Sequence, residues 1–214
     1  MKIIGITGGI GSGKTTISNM LRKQGYPVFD SDVQSKYICD HDIYVINEIK
    51  KHFGKNIYVD DRLDRKSLAE IVFNDKGSLN ILNSIIHPKT RDFMCGAIED
   101  SDSELFFVES AIMFEYGLDE LMDYIISVTA PLDVRMERII LRDNTTKDKI
   151  DDRMNNQMSE KDRLSKSDYI ISTNQSLHQV GCKLNRIIID IKIFITIFNS
   201  GFLKISFKFF NRTT

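Results

Sequence analysis

Short, almost wholly apolar runs punctuate this chain at Lys2–Thr7, Pro27–Phe29, Glu104–Glu109, Tyr124–Thr129 and Tyr169–Ser172, and most are rich in β-branched residues. They do not alternate apolar with polar positions. A strand covered on one face alternates, whereas one covered on both faces does not, so these runs predict buried parallel strands. The stretches between them carry helical spacing. That βα alternation implies a three-layer α/β fold with a five-stranded parallel sheet.

Between the second and third runs lie about seventy residues, 31–103, too many for a loop in a compact domain. Ile43, Ile46 and Phe53 fall near one helical stripe, and Leu68, Ile71 and Val72 repeat at i, i+3, i+4. Leu79, Leu82 and Ile86 do the same before Pro88, which is expected to stop the helix. The segment reads as an inserted helical subdomain that leaves from the C-terminal edge of the second strand. Residues 143–166 are the most polar part of the chain, with Lys147, Lys149, Arg153, Lys161 and Arg163 among many acids. They read as a mobile helical lid or as a solvated helical hairpin. A single domain over 1–186 then has its core in 1–30, 104–142 and 167–186.

The tail, 187–214, is atypical. It is apolar but studded with Asp190, Lys192, Lys204 and Lys208, and these charges with Asn199, Ser200 and Gly201 argue against a membrane-spanning helix. Its Ile/Phe-rich alternation favours a strand, a hairpin or an exposed apolar segment.

Composition adds mainly exclusions. The 214 residues are 42% hydrophobic and 28% charged with a net charge of −1, which gives no electrostatic reason to expect nucleic acid or an anionic membrane as partner. Cys39, Cys95 and Cys182 are odd in number, far apart and form no C-x-x-C pair, so they read as reduced cytoplasmic thiols without a metal. The first strand runs straight into the next motif, so no leader peptide is expected.

That motif is Gly8-Gly9-Ile10-Gly11-Ser12-Gly13-Lys14-Thr15, which fits G-x-x-x-x-G-K-[ST] between a strand and a helix start. Glycines let backbone N–H groups curl around a phosphate, and the helix N-terminus adds the positive end of its dipole. Gly11, Ser12, Gly13, Lys14, Thr15 and Thr16 are therefore candidate ATP contacts. Lys14 would reach the outer phosphates and the Thr15 hydroxyl would bind Mg²⁺. Nucleotide binding alone does not decide between a kinase and a GTPase-like switch. The switch needs D-x-x-G and N-K-x-D, and neither occurs in this chain. A helical insertion with a charged lid suits a kinase, which closes over two substrates and excludes water. Asp30 and Asp32 follow the second strand. A carboxylate there can accept the proton of an attacking hydroxyl, or it can cap the next helix.

Ile6 through Thr16 followed by Asp30-Ser31-Asp32 resembles dephospho-coenzyme A kinase. Further segments of that family occur in order. Leu82-Asn83-Ser84-Ile85-Ile86-His87-Pro88 resembles its L-N-x-x-x-H-P, and Glu109-Ser110-Ala111-Ile112-Met113-Phe114-Glu115 resembles its D-x-P-L-L-F-E. Arg138 through Asp143 resembles R-x-x-x-R-D, and Asn156-Gln157 through Ile171 resembles the stretch ending in A-D-x-V-I. The resemblance covers roughly residues 1 to 185. It implies ATP-dependent phosphorylation of the ribose 3′-hydroxyl of dephospho-coenzyme A. It implies Asp32 as base, Arg142 at the transferring phosphate and Glu115 in the acceptor site. Arg138 shares a helical face with Arg142 and can also point at phosphate, and His87 before Pro88 is either structural or an acceptor contact. Another small-metabolite or nucleoside monophosphate kinase is the alternative. Glu109 and Ala111 replace the family's Asp and Pro, and Ser172-Thr173-Asn174-Gln175-Ser176 lacks its usual Gly, which leaves the adenine contacts there open.

Overall fold

The computed structural model describes residues 1–143, 150, 154 and 157–199. In chain order, β1 (Lys2–Thr7) leads into α1 (Lys14–Lys23), β2 (Val28–Asp30), α2 (Ser31–His41) and α3 (Ile43–Phe53). A short hairpin of β3 (Tyr58–Val59) and β4 (Arg62–Leu63) precedes α4 (Arg65–Asn74) and α5 (Lys76–Glu99). Then come β5 (Leu105–Glu109), β6 (Tyr124–Thr129), α6 (Leu132–Asp143), α7 (Glu160–Ser165), β7 (Tyr169–Ser172) and α8 (Leu177–Asn199). The main sheet has the order β2-β5-β1-β6-β7, and every pair in it is parallel. Its strands match the five apolar runs to within a residue or two.

The strand side chains explain the three layers. Ile4, Ile6, Leu105, Phe107, Ile126 and Val128 point to one face, where they pack with Ile17 and Leu21 of α1 and Val180 and Leu184 of α8. Phe106 and Val108, the intervening residues of β5, pack on the other face against Met94 of α5. Both faces are therefore dry, which is why the strands do not alternate in polarity. The insertion 31–103 has its own core, in which Ile38, Val45, Ile49, Ile57, Leu63, Leu68 and Ile85 pack together.

Two expectations are corrected. Pro88 does not end a helix, because α5 continues through it to Glu99. The proline removes one backbone donor, yet the helix packs on α2, α3 and α4, and that burial outweighs a loss of about 3 kcal/mol. The tail does not begin as a strand. Residues 187–199 complete α8, so the break expected at Arg186 lies inside a helix. Ile187, Ile188 and Ile191 form a helical stripe on the main core, whereas Ile189, Ile193 and Ile197 line the exposed side. Two apolar stripes on one helix imitate strand-like composition. Residues 200–214 lie outside the described residues, as do Lys147, Lys149 and Arg153 of the expected lid.

Candidate active site

β1 lies at the centre of the sheet, and its neighbours diverge toward β2 on one side and β7 on the other. Ligands of open α/β sheets bind outside the strand C-termini at such a reversal. The Gly8–Gly13 turn occupies that position. Gly13 begins α1 with φ 95°, a left-handed conformation suited to glycine, and no side chain caps the helix. By contrast, Asp30, Asp42, Asp64 and Asp75 cap α2, α3, α4 and α5. A capping carboxylate would fill the anion position at α1. Leaving it out keeps the first-turn N–H groups and the positive dipole end for a phosphate.

The loop is held from outside. Arg135 is buried, donates from Nε to the Ile10 carbonyl at 2.9 Å, and pairs through Nη1 with Glu160 at 3.1 Å. Its guanidinium lies close against Gly9, leaving no room for a Cβ there. Gln157 accepts from the Ile10 N–H at 3.0 Å and donates to the Ala111 carbonyl at 3.3 Å. Thr173 donates to the Ser12 carbonyl at 2.6 Å, and Arg138 donates to the Thr173 hydroxyl and carbonyl at 2.8 and 2.9 Å. Arg138 thus ties α6 to the phosphate loop and to the turn after β7.

Inside the loop, Lys14 donates to the Gly8 carbonyl at 2.9 Å. Burial lowers its pKa, while the carboxylates of Glu109 and Asp32 oppose the shift. Both acids therefore act on the same ammonium group. The Thr15 hydroxyl donates to Glu109 Oε1 at 3.2 Å, and Oε2 of Glu109 is buried, with the Ser18 hydroxyl a polar neighbour of the carboxylate. Burial raises the Glu109 pKa, and the charge of Asp30 assists it against the opposing hydroxyls of Ser18 and Thr15 and the ammonium of Lys14. A buried carboxylate beside a hydroxyl is a donor set that fits a hard cation and its water.

Asp30 accepts from the Val33 N–H at 3.0 Å and so takes the capping role. Asp32, two residues further on in the first turn, is exposed and lines a cavity of about 290 Å³. His87, Tyr116 and Ser110 line the same cavity, which lies between the insertion and the strand ends. The His87 ring centroid is 3.7 Å from that of Tyr116, and His87 Nε2 is buried without a partner. Burial lowers its pKa from 6.5 to about 4, so the imidazole is neutral at physiological pH. The unfolded chain then binds more protons than the folded one between those two values. Stability contributed by neutral His87 is lost as pH falls from 6.5 toward 4. His87→Gln is expected to flatten the drop in Tm across that interval, and an unchanged slope would contradict the burial argument.

Two expected residues stand elsewhere. Glu115 is exposed and accepts from the Met158 N–H at 2.7 Å, which ties the turn after β5 to the segment before α7 and leaves it out of the cavity lining. Arg142 has a side chain 59% exposed and forks onto Asp143 at 2.7 and 3.0 Å, away from the loop. It sits one turn beyond Arg138, at the very end of α6. Arg135 was not expected at the site, and Arg163 was expected only among the basic residues of the lid. Both are buried and both act electrostatically on Lys14. Arg135 shares the α6 stripe of Arg138 and Arg142 at i, i+3, i+7, and that spacing was the available signal. The turn 173–176 needs no glycine, because its residues keep negative φ. Ser176 and Gln179 close it reciprocally, Gln179 N–H to Ser176 Oγ at 3.3 Å and Ser176 N–H to Gln179 Oε1 at 3.1 Å.

A phosphate loop, an acid on the facing strand and a cavity under a helical insertion describe a kinase without naming its acceptor. Comparison with known proteins supplies the name. The dephospho-CoA kinase family model matches residues 2–179. The chain belongs to the dephospho-CoA kinase family. A dephospho-CoA kinase from Listeria innocua is 34% identical over 182 residues, spanning 83% of this chain and 91% of the relative. One from Fusobacterium nucleatum is 36% identical over 185 residues, spanning 86% and 95%. The solved structure of the Campylobacter jejuni dephospho-CoA kinase superposes with a TM-score of 0.67 at 28% identity, covering 89% of this chain and 98% of that one. The resemblance read from the ordered motifs is thereby borne out, and so are the α/β kinase fold and the ATP-dependent phosphotransferase activity of the family. That family consumes ATP and dephospho-coenzyme A and makes coenzyme A. Among the described residues no helix is long and apolar enough to cross a membrane.

Proposed function

We propose that Asp32 is the base that takes the proton from the ribose 3′-hydroxyl of dephospho-coenzyme A while the γ-phosphoryl group of ATP moves onto that oxygen. The bond between the γ-phosphorus and the bridging oxygen breaks, the 3′ oxygen–phosphorus bond forms, and ADP leaves with its electron pair. The observation that supports this most is the meeting of Lys14, Asp32 and the Thr15–Glu109 pair at the ends of β1, β2 and β5, beside one cavity. Lys14 exchanges its bond to Gly8 for the β- and γ-phosphates, and the N–H groups of Gly11 through Thr16 hold the remaining phosphate oxygens. Thr15 and Glu109 are the residues that would hold Mg²⁺, which would neutralise phosphate charge when bound. Arg138 keeps the phosphate loop and the 173–176 turn in register. Arg142, at the root of 143–166, belongs in this proposal to the state in which that segment closes as a lid over the phosphates.

The reading assigns His87 to the acceptor side, with the insertion 31–103 carrying dephospho-coenzyme A. It places the enzyme in the cytoplasm, where its three cysteines stay reduced. An acceptor panel tests it: turnover on dephospho-coenzyme A with none on nucleoside monophosphates is expected, and the reverse preference would overturn it. Glu109→Gln is expected to raise the Mg²⁺ concentration for half-maximal rate by about tenfold or more, the usual penalty for weakening groups around a metal. An unchanged Mg²⁺ profile would remove Glu109 from the cation site.

A further inference from the structure

The cavity beside Asp32 is too small for the whole of dephospho-coenzyme A. Its volume of about 290 Å³ lies at the low end of small-molecule sites, roughly 300–1,000 Å³, and suits a nucleoside. An acceptor with its ribose 3′-hydroxyl at Asp32 must therefore send its 5′-diphosphate and the chain beyond it out through the mouth. One lining residue at that mouth has chemistry the reaction has not used. Arg91 is exposed, lines the cavity, and makes no hydrogen bond, ion pair or ring contact among the described residues. The cavity's other ionisable lining residues are Asp32, His87 and Tyr116, so Arg91 is its one permanent cation among the described residues.

Its place relative to Asp32 is fixed by packing. Ser35 lies one helical turn after Asp32 on α2, and its hydroxyl is 3.0 Å from that of Thr90 on α5. The Thr90 hydroxyl also donates to the Ile86 carbonyl at 3.0 Å, which holds it in the helix groove. Arg91 follows Thr90 directly. Asp32, Ser35, Thr90 and Arg91 thus lie together along the α2–α5 seam and all line the cavity. Neighbouring basic groups are engaged elsewhere: Lys89 lies over the Tyr44 ring at 5.1 Å, and Arg65 is paired with Asp40 at 2.6 Å.

We infer that Arg91 binds the 5′-diphosphate of the acceptor and selects a nucleoside carrying that group over one lacking it. This rests on the proposed assignment of the cavity to dephospho-coenzyme A. A guanidinium can hold two phosphate oxygens in a fork, whereas an ammonium offers only a point charge. Contact at the mouth also pins the ribose from its far side and presents the 3′-hydroxyl to Asp32. Arg91 is a specificity residue remote from the transferring group, so it acts on acceptor binding and leaves the chemical step alone.

Steady-state kinetics of the full-length wild type, Arg91→Ala, Arg91→Lys and Arg91→Glu test this, with dephospho-coenzyme A varied at saturating ATP. Arg91→Ala is expected to raise KM for dephospho-coenzyme A about 10-fold or more, the usual worth of a charged hydrogen bond, with kcat and KM for ATP nearly unchanged. Arg91→Lys should recover part of the loss, Arg91→Glu should be worse than Arg91→Ala, and added salt should shrink the differences. Adenosine, as a competing ligand without the diphosphate, should inhibit wild type and Arg91→Ala with equal Ki. An unchanged KM in Arg91→Ala, equal defects in the Ala and Lys variants, or an equal loss for adenosine would overturn the inference. Absence of turnover on dephospho-coenzyme A by the wild type would instead overturn the parent assignment.

Discussion

Asp32→Asn is expected to lower kcat by about 10²–10⁴, the usual worth of a positioned general base, while ATP binds with nearly unchanged affinity. The substitution keeps the size of the side chain and its place in the first turn of α2, where Asp30 alone makes the cap. The fold has no reason to move. What disappears is the proposed proton acceptor and part of the negative potential around Lys14. Pre-steady-state kinetics with a nucleotide-binding signal separate the two effects. If ATP affinity collapses along with turnover, Asp32 is bound to the nucleotide or its cation and is not the base.

Lys14→Ala is expected to lower kcat by about 10²–10³, the scale seen when one preorganised donor to a developing charge is removed, and to weaken ATP binding as well. Two observations support so large a loss. Lys14 bonds to the Gly8 carbonyl of its own loop, so its ammonium already lies inside the ring of phosphate-binding N–H groups. It also offsets the charge of Glu109 and Asp32, which would otherwise face the incoming triphosphate unneutralised. The variant should retain its fold, because the loop is held by Arg135, Arg138, Gln157 and Thr173 from outside. Near-normal turnover in Lys14→Ala, measured by ADP release, would contradict the assignment of the loop.

The contrast between these residues and the rest shows where sequence is informative. Strands were readable because burial on both faces leaves an unbroken apolar run, as in Leu105–Glu109, whose residues pack alternately on the two sides of the sheet. The phosphate loop was readable because its chemistry needs glycines and a lysine at fixed spacing. The place of Asp32 at the cavity was readable because it follows a strand that ends beside that loop. Arg135 shared a helical stripe with Arg138 and Arg142, but its burial against the phosphate loop was not readable. A buried arginine looks in sequence like any exposed one, and only the fold brings Ile10, Gly9 and Glu160 around it. Glu115 shows the same limit, since its partner Met158 lies 43 positions away and no local pattern announces the contact. Pro88 and the start of the tail were misread because tertiary packing overrode a local rule. In one case packing carried a helix through a proline, and in the other it turned an Ile-rich run into two helical stripes.

The central claim is that this site transfers a phosphoryl group to one oxygen of one acceptor. Its most direct test is to incubate the full-length wild type with ATP, Mg²⁺ and dephospho-coenzyme A, and to identify the product by mass and by the position of its new phosphate. Coenzyme A phosphorylated at the ribose 3′ oxygen, formed in equal amount with ADP and abolished in step with kcat by Asp32→Asn, is the predicted result. ADP released without coenzyme A, or a phosphate placed on any other oxygen, would contradict the account.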